Sequence, residues 1–337
     1  MTDTVRPPAE RVDPTDIAVV GAGPCGLAVG IAAARAGLRC TLFDRGAVAS
    51  SIGNYPADMT FFSTAERLEI GGVPFTVSGD KPNRREALRY YQRLTLHFGL
   101  DVRQYHDVLG AQRAERGFEL LVRSRAGSAS VFAARNLVIA TGYFDHPNRL
   151  GVPGESLAKV SHGYHEAWPF FNQDVLIVGG GNSAVDAALE LYRWRARVTL
   201  IHFADGLDKG VKPWVLPDIS NRIAAGDIHA RWRTRAAEIL PDSVLVRDLD
   251  SGRTDAIPND WVLVMTGYTP DPALLRQLAV TIHPDSGIPA HDPETLQTDV
   301  PGVFIAGVLA AGNDANKVFI ENGRNHGPSI VSYLTRQ

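Results

Sequence analysis

Cysteine is scarce: only Cys25 and Cys40 occur in 337 residues. Two thiols in different elements make neither a disulfide framework nor a cysteine metal cluster, so no metal site is expected and a reducing, cytoplasmic compartment is. Long apolar runs are lacking too. The longest are broken by Arg or Gly, which excludes a spanning helix. Residues 1–16 mix prolines with charges of both signs and contain no apolar core, so they read as a disordered tail and not a secretory signal. Surplus charge is also missing. A net charge of -3 gives no electrostatic case for nucleic acid or an anionic membrane.

What is present is an ordinary globular composition, 45% hydrophobic and 21% charged, on a chain too long for one compact core. Two domains are therefore the default expectation.

Ile17 to Val20 is a short apolar strand that runs into Gly21-Ala22-Gly23-Pro24-Cys25-Gly26. A helical pattern follows from Leu27 to Gly37, then a second strand, Cys40 to Phe43, ending at Asp44. The unit recurs. Val175 to Val178 is a strand, Gly179-Gly180-Gly181-Asn182-Ser183-Ala184 a turn, Val185 to Trp194 a helix and Val198 to Phe203 the next strand. A single glycine match is common by chance, and two copies of one strand–turn–helix–strand unit are not.

Such a turn suits a dinucleotide pyrophosphate, because unpaired N–H groups and the helix dipole both favour an anion there. One glycine makes the tight turn, the next lets the phosphates approach, and the third lets helix and strand pack. Gly21, Gly23 and Gly26 fill these places in the first unit; Gly179, Gly181 and Ala184 fill them in the second. Asp44, 18 positions beyond Gly26, stands where a carboxylate meets adenosine ribose hydroxyls; the competing reading is a solvent-facing turn Asp. In the second unit the strand end, Ile201-His202-Phe203, has no acid before Asp205. A 2′-phosphate is repelled by an acid, so NADP(H) is favoured over NAD(H). His202, Lys209 and Lys212 can offer positive charge or simply be surface residues.

Two further apolar strands end alike, in Thr141-Gly142-Tyr143 and Thr266-Gly267-Tyr268, and each closes one half. Gly302 to Gly307 is one more buried strand, followed by Val308 and by a helical segment from about Asn316. The expected fold class is α/β, with two Rossmann-like dinucleotide-binding domains, the second inserted in the first. An FAD-binding domain would use residues 17–160 and 272–337, and an NADPH-binding domain residues 172–271.

The paired folds resemble the thioredoxin reductase-like flavoproteins. Members of that class place a Cys-x-x-Cys where this chain has His162 and His165, so the usual dithiol relay is excluded here. A narrower group fits better. Gly23-Pro24-Cys25-Gly26-Leu27, Tyr55-Pro56, Thr60-Phe61-Phe62-Ser63-Thr64, Leu68-Glu69-Ile70-Gly71, Val73-Pro74-Phe75, Ala140-Thr141-Gly142-Tyr143, Gly151-Val152-Pro153-Gly154-Glu155, Lys212-Pro213-Trp214 and Phe319-Ile320-Glu321-Asn322-Gly323-Arg324 resemble the bacillithiol disulfide reductase family. That resemblance implies NADPH-dependent reduction of bacillithiol disulfide through FAD, with participation of Cys25.

It also implies site residues. For FAD they are Gly21, Gly23, Pro24, Cys25, Gly26, Asp44, Phe62, Thr141, Gly142, Gly307 and Val308. For NADPH they are Gly179, Gly181, Asn182, Ser183, Ala184, His202 and Lys212. Two departures stand out: Phe203 replaces an Arg expected after the second strand, and Val308 follows Gly307 where the wider class has Asp.

Cys25 at a helix N-terminus is expected to have a lowered pKa and act as a thiolate; the competing reading is a small packing residue. Cys40 reads as core. Phe61 and Phe62 either cover the flavin or pack the interior. The Glu321–Arg324 stretch either lines a substrate pocket or packs its helix, and His162 and His165 are either proton donors or ordinary crossover residues. The expected partners are a small-molecule disulfide and further copies of the same chain. The rival classes are a ferredoxin–NADP reductase-like electron-transfer flavoprotein, a flavin monooxygenase-like enzyme and a non-catalytic FAD-binding sensor.

Overall fold

The computed structural model describes residues 14–314 and 317–337; most of the expected N-terminal tail lies outside them, but Thr15 and Asp16 already belong to a strand. The chain divides into two units. Unit 1 comprises the segments up to Gly53, Met59–His146 and Thr269–Gln337; unit 2 comprises Asn54–Asp58 and Pro147–Tyr268.

Unit 1 opens with β1 (Thr15–Val20), α1 (Pro24–Arg35) and β2 (Cys40–Asp44), followed by the one-turn helices α2 (Ser50–Gly53) and α3 (Ala65–Leu68). α4 (Arg84–His97) starts at a reciprocal cap: the Glu86 N–H donates to Asn83 Oδ1 at 2.9 Å, and the Asn83 N–H donates to Glu86 Oε2 at 2.8 Å. β3 (Asp101–Gln104), β4 (His106–Ala114), β5 (Gly117–Ser124) and β6 (Ala129–Ile139) follow.

The sheet runs β3-β2-β1-β6-β5-β4. Its first four strands are parallel, while β4, β5 and β6 form an antiparallel meander. β6 is long because it serves both parts: residues 129–134 pair with β5 and residues 134–139 with β1. Continuous apolar runs in β1 and β6 are what a strand covered on both faces requires.

Unit 2 holds β7 (Val160–Ser161), β8 (Asp174–Val178), α5 (Asn182–Arg193), β9 (Arg197–Ile201), α6 (Leu216–Ala224) and β10 (Ile228–Arg231). An antiparallel sheet of β11 (Thr234–Ile239), β12 (Ser243–Asp248) and β13 (Thr254–Pro258) follows, then β14 (Trp261–Val264). The parallel sheet runs β10-β9-β8-β14-β7. Its pairing differs from the expected boundary: Val160 pairs with Val262 and Ser161 with Leu263, so the end of the 17–160 segment and the start of the unassigned 161–171 stretch both belong to the second sheet.

The chain then returns to unit 1 with α7 (Ala273–Gln277) and β15 (Val303–Ile305), which pairs with β6. Asn316, where a helical segment is expected to begin, lies outside the described residues; beyond it stand two helices, α8 (Ile320–Gly323) and α9 (His326–Leu334). α9 lies directly on α1: a Cβ at Gly327 would fall 2.4 Å from the Ala28 carbonyl carbon.

Candidate functional site

The first glycine turn is fixed by backbone contacts that only glycine tolerates. Gly21 has φ +112°, and a Cβ there would lie 2.3 Å from Ala140 O. A Cβ at Gly26 would lie 2.0 Å from Gly21 O, so helix and strand meet backbone to backbone. Gly23 differs. Its φ is an ordinary -76°, and nothing stands within 4 Å of its would-be Cβ. The first turn of α1 has no side-chain cap, which leaves its backbone donors for a ligand.

Asp44 acts on this turn from within. The Ala22 N–H donates to its Oδ2 at 2.8 Å; the Gly46 N–H (2.8 Å) and Ser50 hydroxyl (3.1 Å) donate to its Oδ1. At 9% exposure it braces the turn, and only its remaining lone pairs face outward. Thr141 lies beside the same turn, its backbone nitrogen 3.2 Å from the Gly21 Cβ position. Its buried Oγ1 has no hydrogen-bond partner among the described residues. A buried hydroxyl without a partner is costly, which marks a place where a bound polar group would sit.

The return segment encloses Cys25. A Cβ on Gly307 would lie 3.1 Å from the Cys25 sulfur, and one on Gly323 2.8 Å from it. Gly307 also has φ +80°, and its N–H donates to His326 Nδ1 at 3.1 Å. Burial holds His326 down at about 4, so the ring is neutral and can accept that bond. Against the expectation of an easily formed thiolate, burial pushes the Cys25 thiol up to about 12. Cys40 is likewise pushed up to about 12, chiefly by burial, and both cysteines are free.

The Glu321–Arg324 stretch is a clamp. Glu321 accepts from the Ser63 hydroxyl and from Arg67 Nη1 (3.0 Å), while Arg324 Nη1 donates to the carbonyls of Glu66 and Glu69, both at 2.7 Å. The Ser63 hydrogen bond, with Arg67 behind it, holds the Glu321 carboxyl below its usual range. Phe61 is buried and Phe62 exposed. Val308 is buried, so no carboxylate stands at that position.

The second turn has the same frame. Gly179 has φ +145°, and a Cβ on it would lie 2.3 Å from Met265 O. α5 starts without a side-chain cap, Ala184 is fully buried and Ser183 is exposed. Three residues expected to face the coenzyme are turned to other work. His202 is 4% exposed, packs on Gly180 and puts Nε2 3.1 Å from Asp208. Lys212 is 8% exposed, with Nζ 2.6 Å from Asp186. The Asn182 side chain donates to Gly210 O at 2.9 Å and accepts from the Lys212 N–H at 3.0 Å, holding the 208–212 loop. His162 puts Nε2 2.8 Å from Glu155 Oε1, and His165 is exposed. No group of three metal-ligating side chains occurs among the described residues.

Residues 18–307 match the family described as Pyridine nucleotide-disulphide oxidoreductase. The chain belongs to this family. Such oxidoreductases use a flavin and a pyridine nucleotide. Bacilliredoxin reductase Bdr of Bacillus subtilis (strain 168) is 40% identical over 321 residues, 95% of this chain and 97% of that protein. The solved bacillithiol disulfide reductase Bdr from Bacillus cereus is 38% identical with a TM-score of 0.94, covering 96% of this chain and 100% of that one. Its counterpart from Staphylococcus aureus is 37% identical with a TM-score of 0.91, covering 96% and 99%.

The open space at Gly23, the uncapped α1 terminus and the lone Thr141 hydroxyl fit a bound dinucleotide. They also separate fold from ligand. Gly23→Val is expected to leave apo-protein stability within about 1 kcal/mol, because its φ is permitted and its Cβ has nothing within 4 Å. The same variant is expected to lose flavin on purification, since the side chain would fill the phosphate approach. Flavin absorbance per chain, read beside a urea melt of the apo-protein, checks both halves.

Proposed function

We propose that this chain is an NADPH-dependent FAD flavoprotein that reduces a low-molecular-weight disulfide, bacillithiol disulfide, to its thiol. The observation that carries the reading is the Cys25 sulfur. It sits at the N-terminus of α1 beside the first glycine turn, with two side-chain-free positions, Gly307 and Gly323, closing around it. No Cys-x-x-Cys is present to do this work instead. The two solved relatives bear the name of that activity.

In this reading Gly21, Gly23, Cys25, Asp44 and Thr141 hold FAD, and Gly179, Gly181 and Ser183 meet the pyrophosphate of NADPH. Bound FAD supplies the electron pair, drawn from NADPH, that the disulfide receives. Cys25 gives up its proton and attacks one sulfur of the substrate. The substrate S–S bond breaks, one bacillithiol thiolate leaves and takes a proton, and the other half remains joined to Cys25. Two electrons and two protons, one of them carried in by NADPH and one from solvent, then free the second bacillithiol as its thiol and restore the Cys25 thiol. Overall, one NADPH and one proton convert one disulfide into two thiols. The clamp from Glu321 to Ser63 and from Arg324 to Glu66 and Glu69 holds Gly323 beside the sulfur.

No helix among the described residues is long and apolar enough to cross a membrane. Free thiols and a reducing reaction support a cytoplasmic location in this reading. The deciding experiment reduces the flavin anaerobically with one equivalent of NADPH and then adds bacillithiol disulfide. Rapid return of the flavin band, absent with glutathione disulfide, supports the reading. A flavin that bleaches with NADPH and stays reduced with bacillithiol disulfide rejects the substrate.

A further inference from the structure

The position where a 2′-phosphate would be met is occupied by Phe203, and the residues that sequence patterning offered in compensation, His202 and Lys212, are turned inward against Asp208 and Asp186. The structure brings another cation there. β9 ends at Ile201, and its extension is tied to the chain leaving β10: the His202 N–H donates to Arg231 O at 3.0 Å, and the Thr234 N–H donates to His202 O at 2.9 Å. This stitching delivers the first residues of β11 to the carboxyl end of β9. Arg235 lands with its guanidinium carbon 4.8 Å from the centre of the Phe203 ring.

Phe203 is 49% exposed and Arg235 is exposed, so the stack lies on the surface, beside the strand end where an adenosine ribose is read in this kind of sheet. The neighbouring arginines are committed. Arg231 pairs with Asp255 at 2.8 Å and Arg233 with Asp250 at 3.0 Å. Asp205, the first acid after the strand, acts on Arg233. Among the described residues no carboxylate pairs with Arg235.

The residue directly opposite Arg235 in the antiparallel sheet is Arg247, also exposed and also without a carboxylate partner among the described residues. Directly opposed residues share a face, and two like charges in that relation repel. A dianion placed between them would relieve that repulsion, and a guanidinium held flat on an aromatic ring presents its edge donors in a fixed fork to phosphate oxygens.

We infer that Arg235, seated on Phe203 and flanked by Arg247, is the 2′-phosphate receptor of unit 2. The inference rests on the reading of unit 2 as an NADPH site. It assigns to Arg235 the discrimination of NADPH from NADH.

Purified holoenzyme is titrated calorimetrically with 2′,5′-ADP and with 5′-ADP, which differ in the phosphate at issue and need no turnover. The wild type is expected to bind 2′,5′-ADP about 10- to 100-fold more tightly, the span of a charge-assisted contact. Arg235→Gln is expected to collapse that ratio towards one and leave 5′-ADP binding unchanged. Adding Phe203→Arg to Arg235→Gln is expected to restore it. A ratio that survives Arg235→Gln, or equal loss for both ligands, overturns the assignment. So does a wild-type ratio near one. None of these results bears on whether the flavin is reoxidised by bacillithiol disulfide, so the two readings fail separately.

Discussion

Cys25→Ser is expected to cut turnover of bacillithiol disulfide by about a thousandfold or more while NADPH-driven reduction of ferricyanide proceeds. Serine fits the space left by Gly307 and Gly323, so the variant should fold and hold its flavin. It has no sulfur to exchange with a disulfide. Dye reduction needs only electrons and is the internal control.

The pH profile sharpens the result. With the thiol up at about 12, only a small fraction is thiolate near neutrality, and that fraction grows about tenfold for each pH unit below 12. Disulfide turnover should therefore climb with pH through the neutral and mildly alkaline range, and dye reduction should not follow it. Stopped-flow traces at matched NADPH would show both. A serine variant that still reduces the disulfide at the native rate would remove Cys25 from the mechanism and favour the electron-transfer class.

Gly327→Ala is expected to destabilise unit 1 by roughly 2 kcal/mol net, which lowers its Tm by about 4–8 °C. Two effects oppose each other here. Alanine in a helix is worth up to about 1 kcal/mol over glycine. Against this, the added methyl carbon would lie 2.4 Å from the Ala28 carbonyl carbon and 2.5 Å from both Ala28 O and Val29 N. Those are backbone atoms of α1 and cannot rotate away, so α9 must lift. Cys25 stands at the start of α1, and the same lift should loosen flavin retention. Calorimetry with and without added FAD measures both; a variant more stable than the parent would show that the helices are not in this close contact.

The glycine units were legible because the signal is local. Gly21, Gly23 and Gly26, then Gly179, Gly181 and Ala184, each sit within one short turn, and the strand patterned as 175–178 and the one ending at Thr141 were found as Asp174–Val178 and Ala129–Ile139. The long meander of β4, β5 and β6 and the sheet of β11, β12 and β13 were not foreseen. Their strands are held by partners far along the chain and carry half-exposed patterns that resemble loops.

The site shows the same limit. His202 and Lys212 look like offered charge in sequence; Asp208 and Asp186 turn them inward, and neither pairing has a local signature. The helix position of Cys25 argued for an acidic thiol, but the burial that raises its pKa comes in part from Gly307 and Gly323, nearly the whole chain away. The orphan hydroxyl of Thr141 is invisible until every nearby donor has been placed.

The division of unit 1 around unit 2 has a consequence for synthesis. All of unit 2 has been translated by Tyr268, and its sheets can close on themselves at that point. Unit 1 then still lacks β15 for the edge of β6 and α9 for the glycine-rich face of α1. Those pieces fall within the 66 residues from Thr269 to Leu334, roughly 3–13 s of elongation. During that interval an apolar strand edge and the sulfur of Cys25 lie uncovered on the nascent chain, open to oxidants and to other strands. The first nucleotide cradle to be encoded is thus the last to be finished.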